Sequence, residues 1–123
     1  MKKRKLVYIS GPIYSSGVAS KNMNKAIRVA NELMEAGFCV YIPHLSVIWD
    51  AITPQPRSFW MKLDLWMIER SQIILRLDGY SEGAEEEIKH ANSLKNDIKI
   101  YYDKKVLIKK ENPIMDKGGN YEF

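Results

Sequence analysis

Four short apolar segments, separated by stretches long enough to form helices, constrain the fold of this chain most. They occupy residues 5–10, 38–42, 73–77 and 98–102, and each has the length and composition of a buried strand. Strands that alternate with helices favour a parallel sheet with helices on both faces. The sequence therefore predicts an α/β fold, namely a flavodoxin-like or Rossmann-like three-layer sandwich with a four- or five-stranded, mainly parallel sheet. Residues 106–108 are the candidate for the fifth strand.

The first connecting segment shows the clearest helical pattern. Its apolar residues recur at helical spacing, at Met23, Ala26, Ile27, Ala30 and Leu33. Gly37 follows at the position where a glycine in the left-handed conformation commonly ends a helix. A polar loop with Pro54 and Pro56 then leads into a second helix. At 123 residues the chain is expected to form a single domain, with a core at about residues 5–102 and a tail at 103–123.

Composition narrows the class of protein. The chain is 46% hydrophobic and 28% charged, which is ordinary for a globular protein. It contains no apolar run of membrane-spanning length and no apolar signal-peptide region near its start, so we expect a cytoplasmic protein. The single cysteine, Cys39, is expected to pack, and no Cys and His residues show zinc-ligand spacing. We therefore expect no metal and no cofactor.

The net charge of +4 comes largely from the two ends of the chain. Basic residues cluster at positions 2–5 and again at 104–105 and 109–110. Charge at chain ends usually serves solvation, so we do not expect a nucleic-acid partner. A nucleic-acid-associated protein stays an alternative, favoured if the two lysine-rich ends converge on one face.

One carboxylate, Glu87, lies on a helix face where solvated acids are unusual. In a helix that begins at Ser81, it shares a face with small or apolar residues, namely Gly83, Ala84, Ile88 and Ala91. Glu85 and Glu86 instead face outward. A carboxylate among small residues leaves room for a ligand carbon to approach it, as a nucleophile requires.

Asp64 shows the same anomaly on the preceding helix. Its neighbours at helical spacing are all apolar: Trp60, Met61, Met67 and Ile68. Burying an unpaired carboxylate is costly, so Asp64 must be paired, hydrogen-bonded or protonated. The alternative is a structural aspartate that caps a loop or pairs with a lysine.

Both acids flank the edge of the sheet where a ligand is expected. In open parallel sheets, ligands bind outside the carboxyl ends of the strands. The segments delivered to that edge are residues 10–17, 43–44 and 78–83. Neither glycine-rich loop among them has the dinucleotide-binding or P-loop pattern.

Three motifs carry a resemblance to a known superfamily. They are Val7-Tyr-Ile-Ser-Gly-Pro12, the helix that starts Asp64-Leu-Trp-Met, and Gly79-Tyr-Ser-Glu-Gly-Ala-Glu-Glu-Glu87. Over residues 5–102 the chain resembles the nucleoside 2-deoxyribosyltransferase superfamily, and most closely its small uncharacterised bacterial and phage members, which carry a domain of unknown function. Gln72 departs from the pattern, since relatives have an acid there.

The resemblance implies roles for particular residues. Glu87 corresponds to the nucleophile, Asp64 to the aspartate that assists at the nucleobase, and Tyr8 to the tyrosine beside the nucleophile. The positions implied to bind substrate are Ser10, Gly11, Pro12, Asn22, His44, Ser81 and Gly83. Considered without the resemblance, His44 fits a loop hydrogen bond as well as a substrate contact.

The expected function is cleavage or transfer of the N-glycosidic bond of a nucleoside or nucleoside 5′-monophosphate, in a homodimer or larger homo-oligomer. The alternative is a nucleotide-binding module of the same fold without turnover. No Lys or Arg lies between Leu6 and Ser20, and the first two turns of the helix after Ser81 carry Glu82, Glu85 and Glu86. These carboxylates oppose the attraction of a phosphate to the start of the helix, so we expect an unphosphorylated nucleoside to bind at least as well as its 5′-monophosphate.

Overall fold

A single parallel sheet forms the centre of the molecule. The computed structural model describes residues 4–15 and 18–111. Within these residues the strands are β1 (Leu6–Ser10), β2 (Cys39–Tyr41), β3 (Ile73–Arg76) and β4 (Lys99–Tyr101). Their order across the sheet is β2-β1-β3-β4, and all neighbours are parallel. The predicted α/β fold is confirmed.

Helices connect the strands and cover both faces of the sheet. They are α1 (Ala19–Glu35), α2 (Ser46–Ile52), α3 (Arg57–Glu69), α4 (Glu82–Ser93) and α5 (Lys104–Glu111), with a short 3₁₀ turn at Pro43–Leu45 before α2. Helices α1 and α5 pack on one face of the sheet, and α3 and α4 on the other. None of these helices is long and apolar enough to cross a membrane.

The central strand β1 supplies both layers of the core, because successive side chains of a strand point to opposite faces. Val7 and Ile9 face α1 and α5, whereas Tyr8 faces α3 and α4. Tyr8 lies opposite Tyr41 of β2 and Ile74 of β3 in the register of the sheet. Since both faces of β1 are covered, its run of apolar residues shows no alternation with polar ones.

Gly37 ends α1 as predicted. Its φ of 102° lies in the left-handed region, which glycine adopts without steric cost. The Phe38 N–H then donates to the Leu33 carbonyl, which satisfies one of the last free carbonyl groups of the helix. The chain therefore turns directly from α1 into β2.

Two sequence-based predictions of local structure were wrong. Residues 106–108 form no fifth strand but lie in α5, where Leu107 is fully buried against the sheet. Asp103 starts that helix, since its carboxylate accepts the backbone N–H groups of Lys105 and Val106.

Part of the predicted loop after β2 is helix α2, which has no buried residue and hence no buried face. The predicted tail therefore begins with a helix, and residues 112–123 lie outside the described part of the chain.

Candidate active site

A cleft opens at the carboxyl ends of the strands. The order of the strands reverses between β1 and β3, so the connections that follow them leave towards opposite faces and a crevice forms between them. The cleft encloses about 660 Å³. The loop after β1, the segment from α2 to α3, and the beginning of α4 form its walls.

Glu87 lies at the base of this cleft and is only 6% exposed. Helix α4 begins just before it, and the Ser81 hydroxyl caps the helix by accepting the Ala84 N–H at 3.0 Å. Gly83 and Ala84 line the cleft beside Glu87. Because both are small, a ligand can reach the buried carboxylate.

Two hydroxyl groups of β1 hold the Glu87 carboxylate. The Tyr8 hydroxyl donates a short hydrogen bond to Oε2, and the Ser10 hydroxyl donates to Oε1 at 2.8 Å. Tyr8 and Ser10 are two residues apart in a strand, so both face the same side of the sheet. Burial raises the pKa of Glu87 to about 7, although both hydrogen bonds lower it. The nearby Asp64 carboxylate also raises this pKa, and Arg76 lowers it.

Asp64 lines the same cleft from α3. Burial raises its pKa to about 6, while a long hydrogen bond of 3.4 Å, donated by the Tyr41 hydroxyl to Oδ1, lowers it. The Tyr41 ring stacks on that of Tyr8, with ring centroids 5.6 Å apart. The two stacked tyrosines therefore connect the two carboxylates, since each donates to one of them.

The structure brings four of the seven predicted substrate-binding residues to the cleft. Gly11, Ser81 and Gly83 line it, and Ser10 reaches it through Glu87. At Gly11 a side chain would be crowded, because an added Cβ would lie 3.0 Å from the Cβ of Leu77.

The other three predicted residues do not line the cleft. His44 is fully buried, and its Nε2–H donates to the Pro12 carbonyl at 3.1 Å. Asn22 donates to the Ile13 carbonyl at 3.0 Å. All three therefore shape the loop after β1, and His44 makes the loop hydrogen bond that the sequence left as one of two alternatives. Burial also lowers the pKa of His44, which favours the neutral imidazole.

The sequence-based prediction of the site did not include several residues that line the cleft. Asp50 accepts the Gln55 N–H and the Trp60 Nε1–H, each at 2.8 Å, and so fixes the turn between α2 and α3. No local pattern indicated this pairing. Arg57 could have been found, because it lies seven residues before Asp64 and hence on the same helix face.

Gln72 lies at the opposite edge of the sheet. Its side-chain oxygen accepts the Leu6 N–H at 2.7 Å, at the amino ends of β1 and β3. Gln72 therefore lies away from the cleft. Among the described residues, no group of three or more His, Cys, Asp or Glu side chains could hold a metal ion.

Comparison with known proteins gives a family without an assigned activity. No curated protein matches the chain. The model of one family, a domain of unknown function designated DUF4406, matches residues 5–101. This match includes β1 to β4 and the four helices between them, and hence all the residues of the cleft. The chain therefore belongs to the DUF4406 family.

Proposed function

We propose that this protein belongs to the nucleoside 2-deoxyribosyltransferase-like superfamily and cleaves or transfers the N-glycosidic bond of a nucleoside or nucleoside 5′-monophosphate. The observation that carries the proposal is the position of Glu87. It is buried, held by Tyr8 and Ser10, and lies in one cleft with Asp64. A structural carboxylate would have no need of an open approach through Gly83 and Ala84.

The two acids have complementary roles in this reaction. Cleavage of an N-glycosidic bond passes through a state with positive charge on the sugar ring. An oxygen of Glu87 stabilises that charge and then bonds to C1′, while the bond from C1′ to the base nitrogen breaks. Asp64 donates its proton to the departing base, whose nitrogen retains the electron pair of the broken bond. Water or a second base then attacks C1′, gives its proton to Asp64 and releases Glu87.

The two acids can share one proton near neutral pH. The pKa values of about 7 for Glu87 and about 6 for Asp64 place both acids near neutral pH. Between about pH 6 and 7 the two groups together hold about one proton, and Glu87 holds more of it because its pKa is the higher. The reactive arrangement is the less populated one, with that proton on Asp64 and the charge on Glu87, where the hydroxyl groups of Tyr8 and Ser10 stabilise it.

Self-association remains part of the proposal. Helix α2 exposes large apolar side chains, with Ile48 and Trp49 more than half exposed and Ile52 at 78%. Asp50 of the same helix lines the cleft. A second copy of the chain that covers these side chains would lie beside the proposed active site.

The two alternative functions gain less support. A binding module without turnover would be favoured by an exposed Glu87 far from Asp64, whereas Glu87 is buried in the same cleft. For a nucleic-acid-associated protein, Lys5 of the first basic cluster pairs with Glu111, and Lys104 of the second pairs with Glu32. Their charge is therefore partly neutralised within the chain.

The direct test is incubation with a panel of ribonucleosides, deoxyribonucleosides and their 5′-monophosphates, followed by chromatographic detection of free base. We expect release of free base from at least one member of the panel. If the protein is a transferase, addition of a second base should also give a nucleoside with the exchanged base. Absence of both from the whole panel, with a correctly folded protein, would refute the proposed activity.

A further inference from the structure

Arg57 is the basic residue of the cleft. Among the described residues that line the cleft, it is the only Lys or Arg, and the same cleft is lined by four carboxylates: Asp50, Asp64, Glu82 and Glu87. A guanidinium group carries only hydrogen-bond donors, so it binds oxygen acceptors and is repelled by amino groups. A hydrogen-bond acceptor on the ligand can therefore pair with a cationic side chain of the described cleft residues only at Arg57.

The position of Arg57 relative to Asp64 indicates which part of a ligand it meets. Arg57, Trp60, Met61 and Asp64 all line the cleft from α3, at the spacing of one helix face. The seven residues from Arg57 to Asp64 are two turns, or about 10 Å along the axis. Trp60 and Met61 lie between them and offer apolar surface to a flat ring. A base that receives a proton from Asp64 at one end would thus direct its far edge towards Arg57.

The present partner of Arg57 leaves it available for a ligand. Its Nη2 lies 3.2 Å from Oε1 of Glu86 on α4, and the two side chains are 64% and 51% exposed. Ion pairs this exposed contribute little to stability. An acceptor oxygen of a bound ligand can therefore replace the Glu86 carboxylate at modest cost.

We propose that Arg57 determines specificity for nucleosides whose base carries a carbonyl oxygen on the edge remote from the glycosidic nitrogen, which are 6-oxopurines and 4-oxopyrimidines. The inference rests on the proposed function and adds the substrate class. Arginine binds the O6 and N7 atoms of an oxopurine with two hydrogen bonds. The corresponding 6-aminopurine places an amino donor against the guanidinium and loses one of these bonds.

Matched ligands test this directly. Inosine and adenosine differ in the oxo or amino group at the relevant position, as do uridine and cytidine. Binding is measured by calorimetry in the Glu87→Gln background to prevent turnover. We expect inosine to bind at least ten-fold more tightly than adenosine, and uridine more tightly than cytidine, because a hydrogen-bonding site rejects an analogue that leaves it unpaired.

Variants of Arg57 give the second measurement. Arg57→Met should reduce the oxo preference to within two-fold, mainly by weakening the binding of the oxo bases, and Arg57→Lys should restore part of it. Glu86→Gln should strengthen binding of the oxo bases, because it removes the carboxylate that competes for Arg57. Arg70→Met is the matched control, since Arg70 lies at the other end of α3 and packs on the Trp66 ring.

The outcomes separate this inference from the proposed function. If nucleosides bind or release base but the oxo preference is absent, or is the same in Arg57→Met, only the role of Arg57 is rejected. A loss of affinity in Arg57→Met that is confined to 5′-monophosphates would show a phosphate contact and overturn the inference. If no nucleoside binds or is cleaved by the wild-type protein, both proposals fail.

Discussion

Glu87 is a carboxylate whose charged form the folded chain disfavours. Burial raises its pKa from 4.5 to about 7, so between these values the folded protein retains a proton that the unfolded chain releases. The free energy of unfolding therefore falls as pH rises through this window, and the loss is complete above pH 7. A residue with this cost at neutral pH is typical of a functional site.

The Glu87→Gln variant separates the chemical role of this residue from its effect on stability. Glutamine has the same shape but no charge, so we expect base release to fall by a factor of about 100 or more. Thermal stability should be unchanged or higher than that of the wild type, and the gain should be larger at pH 8 than at about pH 5, given the sign of the pKa shift. Calorimetric unfolding at both pH values measures this.

The control is Glu85→Gln, since Glu85 lies outside the cleft and its side chain is 71% exposed. Equal loss of base release in both variants would exclude Glu87 as the nucleophile.

The dependence of the rate on pH reports on the pair of acids. The active form of the pair carries one proton in total, so activity is lost when a second proton binds and when the last one leaves. The plot of kcat/KM against pH should therefore be bell-shaped, with its maximum between about pH 6 and 7. Tyr8→Phe removes a hydrogen bond that lowers the pKa of Glu87, so the high-pH limb should move to higher pH and the maximal rate should fall. A rate independent of pH between about 5 and 9 would contradict the shared proton.

At the scale of the elements, the start of α4 combines stability and access. Ser81 satisfies a backbone N–H, and Gly83 and Ala84 keep the cleft open above Glu87. The glutamates in the first turn also interact favourably with the positive end of the helix dipole. This one helix start therefore both fixes the position of Glu87 and exposes it.

Removal of the Ser81 hydroxyl should destabilise the protein measurably. In Ser81→Ala the Ala84 N–H loses its acceptor, which we expect to reduce the free energy of unfolding by about 1 kcal/mol in urea titrations. Ser93→Ala, at the other end of α4, removes an exposed hydroxyl that bonds only the His90 carbonyl. Its effect should be within about 0.5 kcal/mol, and a Ser81→Ala effect as small as this would show that water replaces the cap.

The elements differ in how far the sequence predicts them. Strands β1 and β3 and helix α1 have strong apolar patterns because they are buried, and Gly37 marks its turn by its own conformational freedom. Helix α2 buries none of its residues, so no pattern could reveal it. Residues 106–108 are apolar whether they form a strand or the buried turn of a helix, and only packing against the sheet decides.

The residues of the candidate site also differ in how far the sequence predicts them. Glu87 and Asp64 were predicted because helical spacing places both among apolar residues. Only the resemblance placed Tyr8 beside Glu87, and the hydrogen bond from Tyr41 to Asp64 was not predicted. Both bonds join residues distant in sequence, which no local pattern can indicate. His44 could not be assigned because an imidazole suits either a ligand or a loop carbonyl, and its burial depends on the tertiary fold.

At the scale of the whole molecule, one buried carboxylate joins segments from both ends of the described chain. Glu111 at the end of α5 binds Lys5 at 2.7 Å and Lys99 at 3.2 Å, and it accepts the Tyr101 hydroxyl. Although burial opposes it, the bonds from Lys5, Tyr101 and Lys99 lower the pKa of Glu111 to about 2. Helix α5 is thereby held against both β1 and β4.

Glu111→Gln should reduce the free energy of unfolding by about 1–3 kcal/mol at neutral pH, the range for hydrogen bonds to charged groups. Because the folded pKa is lowered, the contribution of Glu111 is present above pH 4.5 and is lost as pH falls towards about 2. Urea unfolding of both proteins at about pH 7 and 3 should therefore show a smaller difference at the lower pH. A difference that does not change with pH would mean that Glu111 acts through packing alone.

The distribution of charge in the cleft predicts the response to phosphate. Four carboxylates line it against Arg57 alone among the described residues, and Arg57 pairs with Glu86. We expect an unphosphorylated nucleoside to bind at least as tightly as its 5′-monophosphate in calorimetric titrations at low and moderate salt. A monophosphate bound ten-fold more tightly, with an advantage that shrinks as salt rises, would contradict this expectation.

The order β2-β1-β3-β4 also has a consequence for how the protein acquires its site. The two central strands, in which Val7 pairs with Ile73, are separated by α1, β2, α2 and α3 along the chain. Such distant pairing makes folding slow, because the entropy lost in closing a long loop precedes the contacts between the strands that compensate for it. The cleft lies above that pairing, so ligand binding should be regained during refolding no earlier than the sheet itself.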